Sequence, residues 1–237
     1  MQLPPLTPGR IIKRYKRFLA DVELADGTLV TAHGPNTGTM KSCWEPGAPV
    51  QLSFSDNPKR KLAWTLERVD MGDGWLGVNT HRTNGIIAEG IENGQIPELA
   101  GYGTLRREVK FELEGHPSAR FDLLLSEGKG ADAYVEVKNV TLLDGDYIRF
   151  PDAVSERGRK HLDLLLEAVR LGYRGVVLFA VNRPEGSCFA PAQAIDPAYA
   201  ERLREVVDAG VEALVVRIRH SDEGMSVGEG VRIALAD

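Results

Sequence analysis

The feature that most limits how this chain can fold is a change of hydrophobic period near residue 82. Before it, short apolar and β-branched runs recur at "ADVELA", "TLVTAHG", "APVQLSFS", "LAWTLERVD" and "GWLGVNT". Turn signals separate them at Asp26-Gly27, Glu45-Pro46-Gly47, Asp56-Asn57-Pro58 and Gly72-Asp73-Gly74. This pattern predicts a small β-barrel of the oligonucleotide-binding (OB) type rather than an open sheet, because closure leaves no edge strand to protect. A small sandwich or an SH3-like barrel would show similar spacing.

After residue 82 the pattern alternates. "TNGIIAEGIENG" predicts a short helix capped by Thr83 or Asn84 and ending near Gly94. Strands follow at 105–113, 119–125 and 133–140. "SERGRKHLDLLLEAVRLG" places Leu162, Leu165, Leu166 and Val169 at helical spacing, between Ser155 as N-cap and Gly172 past the end. The apolar run at 175–182 reads as a buried strand. "DPAYAERLREVVDAG" is a helix with proline in its first turn, and "EALVVRIRH" a last strand. The order α-β-β-β-α-β-α-β predicts a mixed sheet flanked by helices. We therefore expect two domains, 1–82 and 83–237. They should pack closely, since no repeat or low-complexity linker separates them.

Composition narrows the class. Hydrophobic residues make up 43% and charged residues 27%, as in ordinary globular proteins. No apolar run reaches the length of a membrane-spanning helix. The opening "MQLPPLTPGRIIKRYKRF" has prolines and cations where a signal peptide needs an apolar stretch, so a cytoplasmic location is expected. Cys43 and Cys188 stand far apart and outside any Cys-x-x-Cys pair, which reads as two reduced thiols rather than a zinc site. The net charge of −5 is divided unevenly. Residues 1–82 hold 11 Lys+Arg against 8 Asp+Glu, and residues 83–237 hold 18 against 26. The two parts are built for different work.

The stretch "RFDLLLSEGKGADAYVEVKNVTLL", 120–143, sets charges inside apolar strands. Side chains alternate along a strand, so Glu136 and Lys138 share a face while Val135 and Val137 take the other. The "SEGKGAD" turn can fold Asp122 alongside Glu136. Two converging carboxylates make an oxygen-rich site suited to Mg²⁺ or Mn²⁺, and a neighbouring lysine can hold water or steady a phosphate oxygen. Glu108, in "RREVKFEL", can add a carboxylate from the next strand, and Glu89 in the preceding helix is a further candidate ligand. The ordinary reading of Glu-x-Lys is the solvent face of a half-buried strand. Against it stands the αβββαβ order around the motif, which resembles the core of the PD-(D/E)xK nuclease fold.

Cations form three further groups. Arg10, Lys13, Arg14, Lys16 and Arg17 lie within eight positions, interleaved with Tyr15 and Phe18. Such a segment can neutralise phosphates and stack bases, or be a solvated strand whose rings belong to the barrel. Lys59, Arg60 and Lys61 sit in a barrel loop, where such barrels place ligand contacts. Arg157, Arg159, Lys160 and His161 crowd the first turns of a helix, against the sense of its dipole. Arg157 and His161 share a face there. "HGPNTGTM" is a polar connection in which Asn36 and Thr37 can donate to phosphate, though a structural turn explains it as well. It is not a P-loop, since no Gly-Lys-Ser/Thr follows.

Several segments taken together resemble the sugar fermentation stimulation protein A family. They are "RYKRFLADVELADG", "HGPNTGTM", "SDNPKRKLAWTLE", "VNTHRTN", "YVEVKNVTL", "FPDAVSERGRKHL" and "PAYAERLREVVDAGVE". The resemblance implies an N-terminal OB barrel, a PD-(D/E)xK-like domain, DNA binding and a link to the regulation of maltose metabolism. It places Asp122, Glu136 and Lys138 in the nuclease-like motif and Glu108 in the family's "EVK" segment. The expected protein binds DNA largely through phosphates and carries a possible Mg²⁺-dependent nuclease site. The alternatives are a DNA-binding regulator whose nuclease fold is inert and an RNA or single-strand binding module. A helix-turn-helix is disfavoured, because the helix at 155–171 runs straight into a strand.

Overall fold

A computed structural model describes residues 1–112 and 119–235. Strands β1 (Leu6–Tyr15), β2 (Leu19–Leu24), β3 (Leu29–His33), β4 (Pro49–Phe54) and β5 (Trp64–Asp70) form a sheet in the order β3-β2-β1-β4-β5. A parallel pairing of β3 with β5 closes it into a five-stranded barrel around Ile11, Val22, Val50, Leu52, Leu66 and Leu76. One strand of the ring differs from expectation. "GWLGVNT" supplies only the short β6 (Trp75–Gly77), which adds to β5 outside the ring. The fifth ring strand is β1, the basic segment itself. Its alternation is hard to see because Ile11 is its only fully buried residue.

The second unit follows at once. Helix α1 (Thr83–Glu92) leads to β7 (Thr104–Phe111), β8 (Ala119–Ser126), β9 (Ala133–Val140), β10 (Leu142–Asp144) and β11 (Tyr147–Phe150). Then come α2 (Glu156–Arg170), β12 (Arg174–Val181), β13 (Cys188–Pro191) and α3 (Pro197–Asp208). The chain ends with β14 (Glu212–His220), β15 (Met225–Gly230) and β16 (Arg232–Ile233). The main sheet runs β15-β14-β12-β9-β8-β7, parallel at its centre and antiparallel towards both edges. Helix α1 covers one face, where Ile86, Ile87 and Ile91 meet Leu123, Val135 and Leu178. On the other face α2 and α3 bury Leu162, Leu165 and Leu203 against Val177 and Phe179. The mixed sheet with flanking helices is the expected class. The predicted strand 105–113 appears as β7, its last residue lying outside the described residues. The small sheet β10-β11-β13-β16 is an addition that the sequence pattern does not announce, because each strand is only 2–4 residues long.

Two helix starts follow their sequence signals. Ser155 Oγ accepts from Gly158 N at 3.1 Å, and Asp196 Oδ1 accepts from Tyr199 N at 3.0 Å. Helix α1 departs from prediction, since neither Thr83 nor Asn84 caps it. A single helical turn at Thr80–Arg82 precedes it, and Asn79 Oδ1 accepts from His81 N at 3.1 Å. The polar side chains of Thr83 and Asn84 are thereby released for other partners.

The barrel is tied to the segment leading into α1 through buried charge. Glu67 of β5 is 4% exposed and takes both Arg82 Nε and Nη2, at 2.9 and 2.7 Å. Ser53 Oγ and Asn79 Nδ2 also donate to it, at 2.6 and 2.9 Å. Burial alone would raise the Glu67 carboxyl, but these donors outweigh it and hold it below its ordinary value. Beside this joint, Asn182 donates to Asn139 Oδ1 at 2.6 Å and faces His220 Nε2 at 3.1 Å, while its carbonyl accepts from Gly77 N at 2.9 Å.

Burial, with Arg68 nearby, pushes the His220 imidazole from 6.5 down to about 4. The unfolded chain therefore takes up a proton near pH 6.5 that the folded chain refuses until about pH 4. Stability is retained in full above that window and falls as the pH drops through it, by at most ~3 kcal/mol. Urea unfolding between pH 7 and pH 5 should show this fall, and His220→Gln should flatten it. An equal pH dependence in the variant would show that another group is responsible.

Candidate metal centre

Three acids fall on one row across three adjacent strands. The β8–β9 ladder pairs Leu125 with Ala133, Leu124 with Tyr134 and Leu123 with Val135. The next step of that register is Asp122 with Glu136, and there the ladder stops. In its place the Asp122 side chain takes the backbone, with Val137 N donating to Oδ2 at 2.7 Å. On the other side, the β7–β8 ladder runs from Arg107–Leu123 to Val109–Phe121 and skips Glu108–Asp122. Glu108 has a φ of +53°, a left-handed conformation that a residue with a side chain seldom adopts. Both strands change faces at this row. Leu105, Leu123 and Leu125 pack towards α1, whereas Val109, Phe111 and Phe121 pack towards α2.

The row is electrically unbalanced. Asp122 Oδ1 accepts from Asn84 Nδ2 at 2.7 Å. Burial, and then the Glu136 charge, raise the Asp122 carboxyl to about 6 despite that donor and the Val137 amide. Glu136 is 4% exposed. Lys138 Nζ donates to its Oε1 at 2.6 Å, and His161 Nδ1 from α2 lies against the same oxygen. The His161 contact is close but not aligned as a hydrogen bond. Burial works to raise the Glu136 carboxyl, yet His161 and Lys138 together keep it below its ordinary value. Its other oxygen, Oε2, is buried and has no hydrogen-bond partner among the described residues. An ionised oxygen buried in this way costs several kcal/mol unless a partner arrives.

The chemistry of these donors fits a hard divalent cation. Both Asp122 and Glu136 offer oxygen only, which suits Mg²⁺, Mn²⁺ or Ca²⁺ rather than zinc. Among the described residues no three His, Cys, Asp or Glu side chains already converge as a metal-binding group. Ions of this class fill remaining positions with water and substrate phosphate. Next to the row lies a cleft of about 380 Å³ lined by His81, Arg82, Asn84, Arg107, Glu108 and Asp122. Glu108 is largely exposed there, 3.9 Å from Arg120. Glu89 holds the Met1 ammonium at 2.6 Å.

The predicted nucleic-acid contacts separate into free and committed cations. Arg14 is occupied by the carbonyls of Arg17, Asn36 and Gly38, and Arg17 by that of Thr37 at 3.0 Å. Asn36 Oδ1 accepts from Gly38 N at 2.8 Å, so "HGPNTGTM" is a built turn. It is anchored to the second unit where Thr39 N donates to Asp152. Lys16, Lys59, Arg60 and Lys61 are exposed, Arg60 also reaching Thr65 Oγ1 at 2.6 Å. Arg10 donates to Gly47 O at 2.8 Å, and Lys13 pairs with Asp21 at 3.3 Å. In α2 the cluster divides. Arg157 Nε reaches His161 Nε2 at 3.4 Å, Arg159 grips buried Asp196 at 3.0 Å, and Lys160 is exposed. That Asp196 pair accounts for one cation at the unfavourable end of the helix.

Sequence reasoning missed two neighbours of the row. Asn84 reads as a helix cap and instead orients Asp122. Tyr199 of α3 carries a buried hydroxyl that lacks a partner among the described residues. Burial, with the fields of Glu136 and Asp196, pushes that phenol upward. No local pattern marks either role. If His161 and Glu136 are electrostatically linked, Ala and Gln replacements made singly and together should show a coupling of about 1–3 kcal/mol in urea unfolding at pH 7. Additive effects would leave His161 a packing residue.

Comparison with known proteins places the whole chain. The family described as "Sugar fermentation stimulation protein RE domain" matches residues 81–224, and that described as "SfsA N-terminal OB domain" matches residues 12–78. A protein of Geobacter sulfurreducens described as a sugar fermentation stimulation protein homolog is 55% identical over 231 residues, covering 97% of both chains. One from Geobacter metallireducens is 52% identical over 237 residues, covering 99% of this chain and 100% of the other. A solved structure titled "The structure of Pyrococcus Furiosus SfsA in complex with Ca2+" superposes with a TM-score of 0.86 at 26% identity, over 99% of this chain and 98% of that one. No helix among the described residues is long and apolar enough to cross a membrane. The chain belongs to the sugar fermentation stimulation protein family.

Proposed function

We propose that this protein binds DNA largely without regard to sequence and holds a nuclease-type divalent-metal centre on Asp122, Glu136 and Lys138. The observation that carries this reading is the partnerless, buried Oε2 of Glu136, in register with Asp122 and beside Lys138. Asp122 and Glu136 would hold Mg²⁺ or Mn²⁺, with Glu108 able to lend an oxygen from β7. A bound ion supplies Lewis-acid polarisation of the phosphate and a more acidic water. A cation there would also favour the ionised form of Asp122, whose carboxyl is raised by burial and the Glu136 charge. Lys138 stands ready to donate to a phosphate oxygen or to orient water. The solved relative whose title names Ca²⁺ supports a hard-cation site.

The free cations of the barrel and the exposed cations of α2 would grip phosphates, which positions nucleic acid without reading bases. A regulatory part in sugar metabolism would act through that binding, and it rests on the family's name. A second reading, a DNA-binding regulator with an inert nuclease fold, is favoured by one observation. Among the described residues no three His, Cys, Asp or Glu side chains converge as a metal-binding group.

Incubating supercoiled and single-stranded DNA with and without Mg²⁺ or Mn²⁺ decides between the readings. Metal-dependent cutting by the wild type that Glu136→Ala lowers by 10²-fold or more, about 2.7 kcal/mol in barrier, makes it an enzyme. No cutting, with equal binding by both proteins, makes it a binder. Affinity for either DNA should fall steeply with salt, with a log–log slope close to the number of phosphates neutralised. A salt-independent affinity would overturn the phosphate-gripping part.

A further inference from the structure

The barrel's aromatic and basic residues meet the Asp122 cleft through two histidines. Trp64, at the start of β5, pairs in register with Phe54 of β4 and with Ala32 of β3. The Phe54 and Trp64 rings sit edge to face, centroids 4.9 Å apart, and Phe54 is 56% exposed. The adjoining loop carries Lys59, Arg60 and Lys61, all exposed. His33 is the residue after Ala32 and pairs with Thr65. Arg60 Nη2 donates to Oγ1 of that same Thr65 at 2.6 Å. The β1–β2 turn closes on the same point, since Gly34 N donates to Phe18 O at 2.8 Å and Phe18 is 44% exposed. From His33 the ring of His81 is 6.5 Å away, and His81 lines the cleft that holds Glu108 and Asp122.

We propose that an unpaired nucleic-acid strand lies along this path, stacking a base on Phe54–Trp64, passing Arg60, His33 and His81, and delivering its backbone to the Asp122 cleft. The inference rests on the nucleic-acid reading above and adds the substrate class: a single strand, shared between the two units. Duplex DNA cannot present a base face to an exposed ring without unstacking, whereas a single strand can, and the stacking is tolerant of sequence. The cations beside the rings supply the charge complement for the strand's phosphates.

The test is a titration by fluorescence anisotropy in EDTA, which removes any dependence on metal or cleavage. The probes are labelled oligodeoxythymidylates of about 6 and about 20 nucleotides, the longer exceeding the roughly 4–16 that one such barrel covers. A duplex of the longer length is the control. Wild type should bind the long single strand at least 10-fold more tightly than the duplex. Phe54→Ala, at an exposed position, should lower single-strand affinity about 5- to 100-fold and leave duplex affinity unchanged. His81→Glu should weaken the long strand several-fold more than the short one. Equal affinity for strand and duplex, or a Phe54→Ala effect that is absent or the same on both, overturns the path while leaving DNA binding intact. Failure to bind either form overturns both.

Discussion

The Asp122 carboxylate takes the backbone N–H of Val137, and much of the second unit is arranged around that single bond. It replaces the ladder step that would have joined β8 to β9 at this row, so the two strands part without leaving a buried amide unpaired. The parting gives the Glu136 side chain room between the sheet and α2. It also coincides with the left-handed turn of Glu108, which reverses the facing of β7 at the same level. A sheet that stayed regular here would have kept all three acids in a solvent-facing stripe or buried them in apolar packing. The break produces a row of carboxylates with one end in the core and the other in a cleft.

Charge then has to be balanced at two places. At the row, Lys138 and His161 hold Glu136 ionised, while burial and the Glu136 charge push Asp122 towards protonation. One carboxylate compensated and its neighbour not is a poor arrangement for stability and a serviceable one for taking up a hard cation. At the joint, Glu67 and Arg82 are fully matched, with Ser53 and Asn79 filling the remaining lone pairs. Arg82 lies immediately before α1, two residues from the Asn84 that orients Asp122. Barrel and acid row are thereby held in one frame, and His33 and His81 span the gap between them.

How much of this was readable in advance depends on the range of the interaction. The pairing of Glu136 with Lys138 on one face follows from side-chain alternation, and the tight Gly-rich turn after β8 brings Asp122 to the same row. The caps at Ser155 and Asp196 are equally local, each set by an oxygen three residues before the amide it accepts. The basic first strand was harder. Its alternation is masked by cations on the outer face, and its place in the ring is set by partners in β2 and β4. From sequence, Arg14 reads as a phosphate ligand because its neighbours are basic. It is a bracket for a loop more than twenty residues away, which spacing alone does not disclose.

The sequence by itself determined a barrel of short strands, a mixed sheet with flanking helices and the face on which Glu136 and Lys138 stand. These follow from periods of two and 3.6 residues and from turn chemistry, which act over a few residues. Only the tertiary structure decided that Asp122 would be bonded to Asn84 and Val137, that His161 would reach Glu136 from α2, and that Glu136 Oε2 would find no hydrogen-bond partner among the described residues. Those outcomes depend on burial and on contacts between elements far apart in the chain. In a low-dielectric interior the energy of a charge is set by what surrounds it, and that environment exists only once the chain has folded.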